Sequence, residues 1–243
     1  MRRILVGFAC NNACVFCAQG DLRAGRPATP EIEVERALAA VEPGEVVAFT
    51  GGEPTLFPAL PAWIRAADAR GAASVIVQTN GRRLAYRAFA HALREASPRL
   101  RLDVSLHGAT APMHDWHTGT EGSFAQTVTG LRHARAERIP TGVTVVVTRS
   151  NYRHLAEIVR VAHAAGASAL RPAPLALAGR ALRERAHLAP APALCAPYLQ
   201  RAAAEAARLG IQLVVGTTEE LFAGLGDVEP PPAPAEQVVE EAP

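Results

Sequence analysis

Three cysteines near the start of the chain carry the plainest chemistry. Cys10, Cys14 and Cys17 stand in the run Cys10-Asn11-Asn12-Ala13-Cys14-Val15-Phe16-Cys17, with three and then two residues between them. Thiols packed this closely serve soft metal centres, iron–sulfur or zinc, rather than a core. A tetrahedral zinc site needs a fourth ligand nearby, and a [4Fe–4S] cluster held by protein alone needs a fourth cysteine. The remaining cysteine, Cys195, lies far along the chain. The donor set therefore points first to a cubane tied to protein through three irons, with the fourth open to another ligand. A zinc site completed by a histidine is the rival reading, and for Cys195 a buried apolar role outweighs a redox one.

Three further polar clusters follow: Thr50-Gly51-Gly52-Glu53-Pro54, Gln78-Thr79-Asn80-Gly81 and Val104-Ser105-Leu106-His107-Gly108. Each closes an apolar or β-branched run, as does the cysteine cluster. The runs over residues 4–8, 45–49, 74–78, 100–106, 143–148 and 169–172 predict six strands buried on both faces. Helices are predicted between them. One starts at Thr29-Pro30 and carries Val34, Ala37, Leu38 and Val41, and one over 60–70 closes at Gly71. Another carries Leu84, Ala88, Ala92 and Leu93. A histidine-rich loop (His114, Asp115, Trp116, His117) precedes a helix that Ser123 is expected to cap. A last helix carries Leu155, Ile158, Val159 and Ala162. Strand–helix alternation at these lengths means a parallel sheet in an α/β fold, and every polar cluster falls at a strand's carboxyl end, where such folds place their chemistry. Residues 18–28 read as a loop covering the cysteines. Residues 176–225 read as an α/β extension of the same domain, with a helix over 194–209 and a short strand over 211–215. Residues 226–243 hold five prolines, five acidic residues and no basic one, the composition of a disordered tail.

In this order and spacing the four motifs resemble those of the radical S-adenosylmethionine (SAM) enzymes, over residues 4 to 175. The resemblance implies a partial (β/α)6 TIM-like barrel holding a [4Fe–4S] cluster on Cys10, Cys14 and Cys17, with SAM on its open iron. It implies that Gly51, Gly52 and Glu53 position the methionyl amine, that Asn80 faces the cavity, and that Ser105 meets the SAM carboxylate or ribose. Where many relatives then carry an arginine this chain has His117, which leaves Arg149 or Arg171 for the carboxylate. His107 is the candidate base or substrate contact. The implied reaction is reductive cleavage of SAM to a 5′-deoxyadenosyl radical that takes hydrogen from a small-molecule or peptide substrate. The electron would come from a low-potential donor of flavodoxin or ferredoxin type. The core looks most like peptide-modifying and molybdopterin-type members, without their cysteine-rich extension. A glycyl-radical activase is the second reading within the class. An iron–sulfur electron-transfer or sensor protein, or a zinc protein, is the alternative outside it.

Composition narrows the field further. At 243 residues, 49% hydrophobic and 20% charged, the chain suits one soluble domain with a sizeable core. A net charge of +2 supplies no basic field for nucleic acid. There are 25 arginines and no lysine, so chemistry that needs a lysine amine, such as Schiff-base or pyridoxal anchoring, is excluded. Four cysteines, three of them clustered, speak for metal in a reducing cytoplasm rather than a disulfide scaffold. The apolar start is too short for a secretion signal, and no stretch approaches the ~18 apolar residues of a membrane span.

Overall fold

Among the described residues seven strands lie side by side in chain order, each parallel to its neighbour. They are β1 (Arg2–Leu5), β2 (Val46–Thr50), β3 (Ser74–Thr79), β4 (Leu100–Ser105), β5 (Thr141–Val146), β6 (Ala169–Ala173) and β7 (Gln212–Leu213). The structure is a computed structural model that describes residues 1–20 and 31–217. The helix start at Thr29-Pro30, most of the expected covering loop 18–28 and the tail 226–243 lie outside the described residues. Helices α1 (Glu31–Ala39), α2 (Leu60–Ala69) and α3 (Arg87–Arg94) fill the first crossovers. Then come α4 (Ala111–Thr118), α5 (Ser123–Ala136), α6 (Leu155–Ala164), α7 (Gly179–Arg183), α8 (Arg185–Leu188) and α9 (Pro192–Leu209). Among the described residues β1 and β7 do not pair, so the sheet is an open, partial TIM-like barrel. No described helix is long and apolar enough to cross a membrane.

Period-2 alternation divides each strand between two environments. Outward residues such as Val47, Phe49, Val75, Val77, Leu102, Val104, Val143, Val145 and Leu170 join the helices in the main core, with Ile64, Leu93, Leu131, Leu155 and Ile158. Inward residues form layers. Ala48, Ile76, Ala169 and Val214 plug the amino-terminal end of the barrel. Above them the inward face turns polar, and the side chains there line a cavity.

Three local expectations are corrected. The histidine-rich segment is helix α4, because His114 and His117 are buried and the turn closes on Gly119 in the left-handed region. The inner side of the α3 segment is Leu84, Ala90 and Leu93, while Ala88 and Ala92 are exposed, since Leu84 sits in a separate 3-10 turn that shifts the helical phase. Ser123 is not the cap of α5. Gly122 holds that position, and the capping oxygens come from Asp115 on α4. The Asp115 carboxylate accepts from Gly122 N–H (2.8 Å), Ser123 Oγ–H (2.8 Å) and Phe124 N–H (2.7 Å), which satisfies donors a helix start leaves open.

Candidate active site

The cysteine loop leaves β1 and is held by backbone bonds on both flanks. Ala13 N–H donates to Thr118 O (2.8 Å) and Val15 N–H to His117 O (3.0 Å), which pins the loop along the end of α4. From the end of β3, Arg82 donates to Asn11 O and to Asn12 Oδ1, and Asn80 Nδ2 donates to Asn11 Oδ1 at 2.7 Å. On the far side, Arg180 of α7 donates through its guanidinium to Ala13 O (2.9 Å) and Cys14 O (3.3 Å), and through its backbone N–H to Cys17 O (3.1 Å). Phe16 is buried with its ring edge-on to His107, centroids 4.8 Å apart. The loop's shape is thus imposed by three neighbouring elements.

The Gly-Gly-Glu segment after β2 packs directly on that loop. Gly52 N–H donates to Gly7 O and Glu53 N–H to Ala9 O, both at 2.8 Å. A Cβ on Gly52 would lie 2.2 Å from Ala9 O, so any side chain there would push the two backbones apart. Gly51 has φ +142° and meets Gly7 O in the same way. The glycines are required first by contact between two backbones. Glu53 is buried and holds four hydrogen bonds: Oε1 accepts from Thr55 N–H (3.0 Å), Thr55 Oγ–H (2.6 Å) and Thr79 Oγ–H (2.7 Å), and Oε2 accepts from Asn80 N–H (2.7 Å). Burial pushes this carboxyl above its ordinary range, and the hydrogen bonds hold part of that rise back.

One cavity of about 410 Å³ gathers Cys10, Cys14, Cys17, Gly51, Gly52, Glu53, Asn80, Ser105, His107 and Arg171, the site residues expected from sequence apart from Arg149. Arg149 is elsewhere; its guanidinium donates to Ala186 O at 2.7 Å. Cys195 is packed in the outer core, where burial raises its thiol. The sequence reading missed a polar ladder across the cavity floor. Gln78 Nε2 donates to Asp103 Oδ2 (3.2 Å), Thr144 Oγ–H to Asp103 Oδ1 (2.6 Å), and Arg171 Nη2 to Thr144 Oγ (3.1 Å). Arg171 Nη2 also lies 4.0 Å from Asp103 Oδ2. The signal was available: period 2 puts Asp103 on the face of Ser105, and strand pairing aligns Ser105, Thr144 and Arg171 in one row.

His107 accepts from Val146 N–H through Nδ1 (3.3 Å), so Nε2 carries its proton. Its own N–H donates to His114 Nδ1 (3.1 Å). Burial first, then the neighbouring His114 and His117, holds His107 well below the ordinary histidine range, so it is a neutral N–H donor near neutrality. His117 bridges Met113 O through Nδ1 (2.7 Å) and the hydroxyls of Thr148 (2.8 Å) and Ser150 (2.9 Å) through Nε2. It braces the loop behind Phe16 and does not line the cavity.

A model of the radical SAM superfamily matches residues 4–162, from β1 into α6. The chain belongs to this superfamily. Among known proteins it is similar to the AdoMet-dependent heme synthase of Oleidesulfovibrio alaskensis, 27% identical over 164 residues, covering 66% of this chain and 42% of that one. It is also similar to a probable GTP 3′,8-cyclase of Metallosphaera sedula, 30% identical over 168 residues, covering 68% and 52%. In fold it resembles SuiB of Streptococcus suis bound to S-adenosylmethionine, with a TM-score of 0.71 at 15% identity, covering 92% of this chain and 52% of that one. The chain spans about half the length of these relatives.

Radical SAM proteins use a [4Fe–4S] cluster and SAM, and the residues present fit both. Three thiols from one loop face one cavity, the fourth cysteine is remote, and Asn12 N–H already donates to Cys10 Sγ (3.4 Å), as backbone amides do to cluster sulfurs. Among the described residues no three His, Cys, Asp or Glu side chains clasp a single ion. A cubane, which takes one thiolate at each of three corners, asks for separated thiols. Beside them, the Glu53 carboxylate, the Ser105 hydroxyl and the Arg171 guanidinium supply opposite charges suited to an amino acid's two ends.

Proposed function

We propose that this chain is the SAM-cleaving core of a radical SAM enzyme that acts on a peptide or small molecule in a reducing cytoplasm. The observation that carries it is the convergence of Cys10, Cys14, Cys17, Glu53, Ser105 and Arg171 on one cavity at the strand ends. When bound, cluster and SAM together supply reductive carbon–sulfur cleavage and hydrogen-atom abstraction from substrate. The chain's own residues bind and orient. Cys10, Cys14 and Cys17 hold three irons. Glu53, clamped by Thr55, Thr79 and Asn80, offers its remaining acceptor capacity to the methionyl ammonium. Arg171 and Ser105 receive the carboxylate, and Asn80 ties that site to the cysteine loop. Neutral His107 directs an N–H donor at the cavity and orients substrate without adding charge.

Peptide chemistry is the favoured substrate class. Structures of similar fold include SuiB bound to its precursor peptide SuiA and anSMEcpe bound to a peptide, with TM-scores of 0.68 and 0.58. In the cavity, Arg171 is compensated by Asp103. The segment after residue 175 belongs with the core in this reading, supported by Arg180 on the cysteine loop and Cys195 in the main core. A low-potential one-electron donor completes the system.

Anaerobic iron–sulfur reconstitution followed by dithionite, SAM and chromatography tests the proposal. The expected product is 5′-deoxyadenosine. A reconstituted brown protein that binds no SAM, or a colourless zinc protein, would overturn it.

A further inference from the structure

Two arginines hold the cysteine loop, and they hold it differently. Arg180 reaches it from an outer groove of about 430 Å³, lined also by Ala13, Val15 and Trp116, and donates to main-chain carbonyls alone. Arg82 reaches it from the end of β3. Its Nη1 donates to Asn11 O and, at 2.9 Å, to Asn12 Oδ1, while the backbone N–H of the same Asn12 donates to Cys10 Sγ at 3.4 Å. Asn12 is buried and lines the inner cavity; Arg82 does not line it. One residue therefore stands between a guanidinium and a thiol sulfur, bonded to both. The turn that delivers Arg82 has little freedom. It follows Gly81, whose φ of +77° is left-handed and where a Cβ would lie 2.8 Å from Val104 Cγ1. Helix α5 packs on it so closely that a Cβ on Gly130 would lie 2.3 Å from Gly81 O. Arg82 N–H donates to Asn80 Oδ1 (3.0 Å), and its Nε–H donates to Gln126 Oε1 of α5 (2.6 Å). Every acceptor of the guanidinium is neutral, and among the described residues no carboxylate pairs with it. Between Cys10 and Cys17 the only ionisable side chains are the cysteines. Arg82 thus brings a half-buried positive charge to the Cys10 side of the loop.

We propose that Arg82 sets the reduction potential of the cluster: its charge favours the reduced state, and its hold on Asn12 keeps an N–H on the Cys10 sulfur. The inference rests on the cluster assigned to Cys10, Cys14 and Cys17 under the proposed function. Three thiolates leave a [4Fe–4S] centre anionic, and reduction adds one more negative charge. A fixed cation at the protein's half-buried edge offsets that charge more than it would in water. Net charge and hydrogen bonds around the sulfurs are the levers by which a protein moves such a potential. In the step concerned the low-potential donor is oxidised by one electron and the cluster is reduced by one; no bond is made or broken. Arg82 acts through Asn12 and the loop, so it is a positioning residue.

Anaerobic redox titration of the reconstituted protein, followed by the paramagnetic signal of the reduced cluster, tests this. Arg82→Gln should disfavour the reduced state about tenfold, a midpoint 59 mV lower for one electron, at wild-type iron content. Arg82→Lys, which keeps the charge, should stay near the wild-type potential. Gln126→Glu puts a carboxylate on the exposed side of Arg82, leaves the loop contacts in place, and should shift the potential the same way by less. An unchanged potential in Arg82→Gln would overturn the assignment, as would a shift in Arg82→Lys as large as that in Arg82→Gln. If Arg82→Gln retains no iron, Gln126→Glu decides, and a wild-type potential there overturns the assignment. A wild-type protein that takes up no iron sinks the proposed function and this inference with it. A wild-type cluster whose potential ignores all three variants sinks this inference alone.

Discussion

The two faces of the cysteine loop are made from the same eight residues yet meet opposite surroundings. On the inner face every charge is answered: Arg171 by Asp103 and Thr144, Glu53 by four donors, and the histidines behind Phe16 are held neutral by burial. On the outer face arginines accumulate around an exposed tryptophan. The inner face resembles a preorganised site, which must hold its dipoles in place without water. The outer face is an open groove, where Trp116 stands half exposed beside the α7–α8 segment. Arg180 lines the outer groove and fastens it to the loop, its guanidinium donating to Ala13 O and Cys14 O.

The comparison can be broken from the inside first. Cys14→Ala should remove the cluster and abolish 5′-deoxyadenosine formation, and iron at the wild-type level would show that Cys14 is not a ligand. Glu53→Ala strands four buried donors, and should destabilise the protein by roughly 3–5 kcal/mol as well as weakening SAM binding. A urea titration in which stability drops by less than about 1 kcal/mol would mean that water replaces the carboxylate.

Acid should also undo the inner face. Burial lowers His114 to about 4 and depresses His107 and His117, so the unfolded chain binds more protons than the folded one. Their stabilisation is full above the unfolded histidine value of about 6.5 and is lost as pH falls below it. His114 alone should account for about 3 kcal/mol by pH 4. Glu53 acts with the opposite sign, because its raised value makes its burial less costly as pH falls. Thermal melts between pH 7 and pH 4 should show a steep decline; a flat profile would mean that water reaches the histidines. The smallest effect should come from Arg180→Gln, about 1 kcal/mol by urea midpoint with reduced iron retention, because two carbonyl contacts go but the backbone rungs to α4 remain. Unchanged iron retention would detach Arg180 from the inner face.

By itself the sequence determined the strand order, the parallel sheet and the four strand-end motifs, because apolar runs of strand length alternating with helical periodicity admit few arrangements. Cysteine spacing narrowed the centre to iron–sulfur or zinc for a similar local reason: the three thiols come from one loop. What the tertiary structure alone decided involves partners far apart in the chain. It put Arg171, a strand residue of β6, on the cavity wall and tied Arg149, three residues past β5, to Ala186 and Leu188 instead. It placed Asp103 beneath Ser105 by register, made Glu53 the clamp between two strand ends, and turned Asp115 into the cap of the following helix. It also brought α7 and α8 from the far end of the chain onto the back of the cysteine loop. No local pattern encodes that contact, because Arg180 reaches Ala13 across 167 positions and the stretch around residue 180 reads only as a loop or partial helix rich in Ala, Pro and Arg.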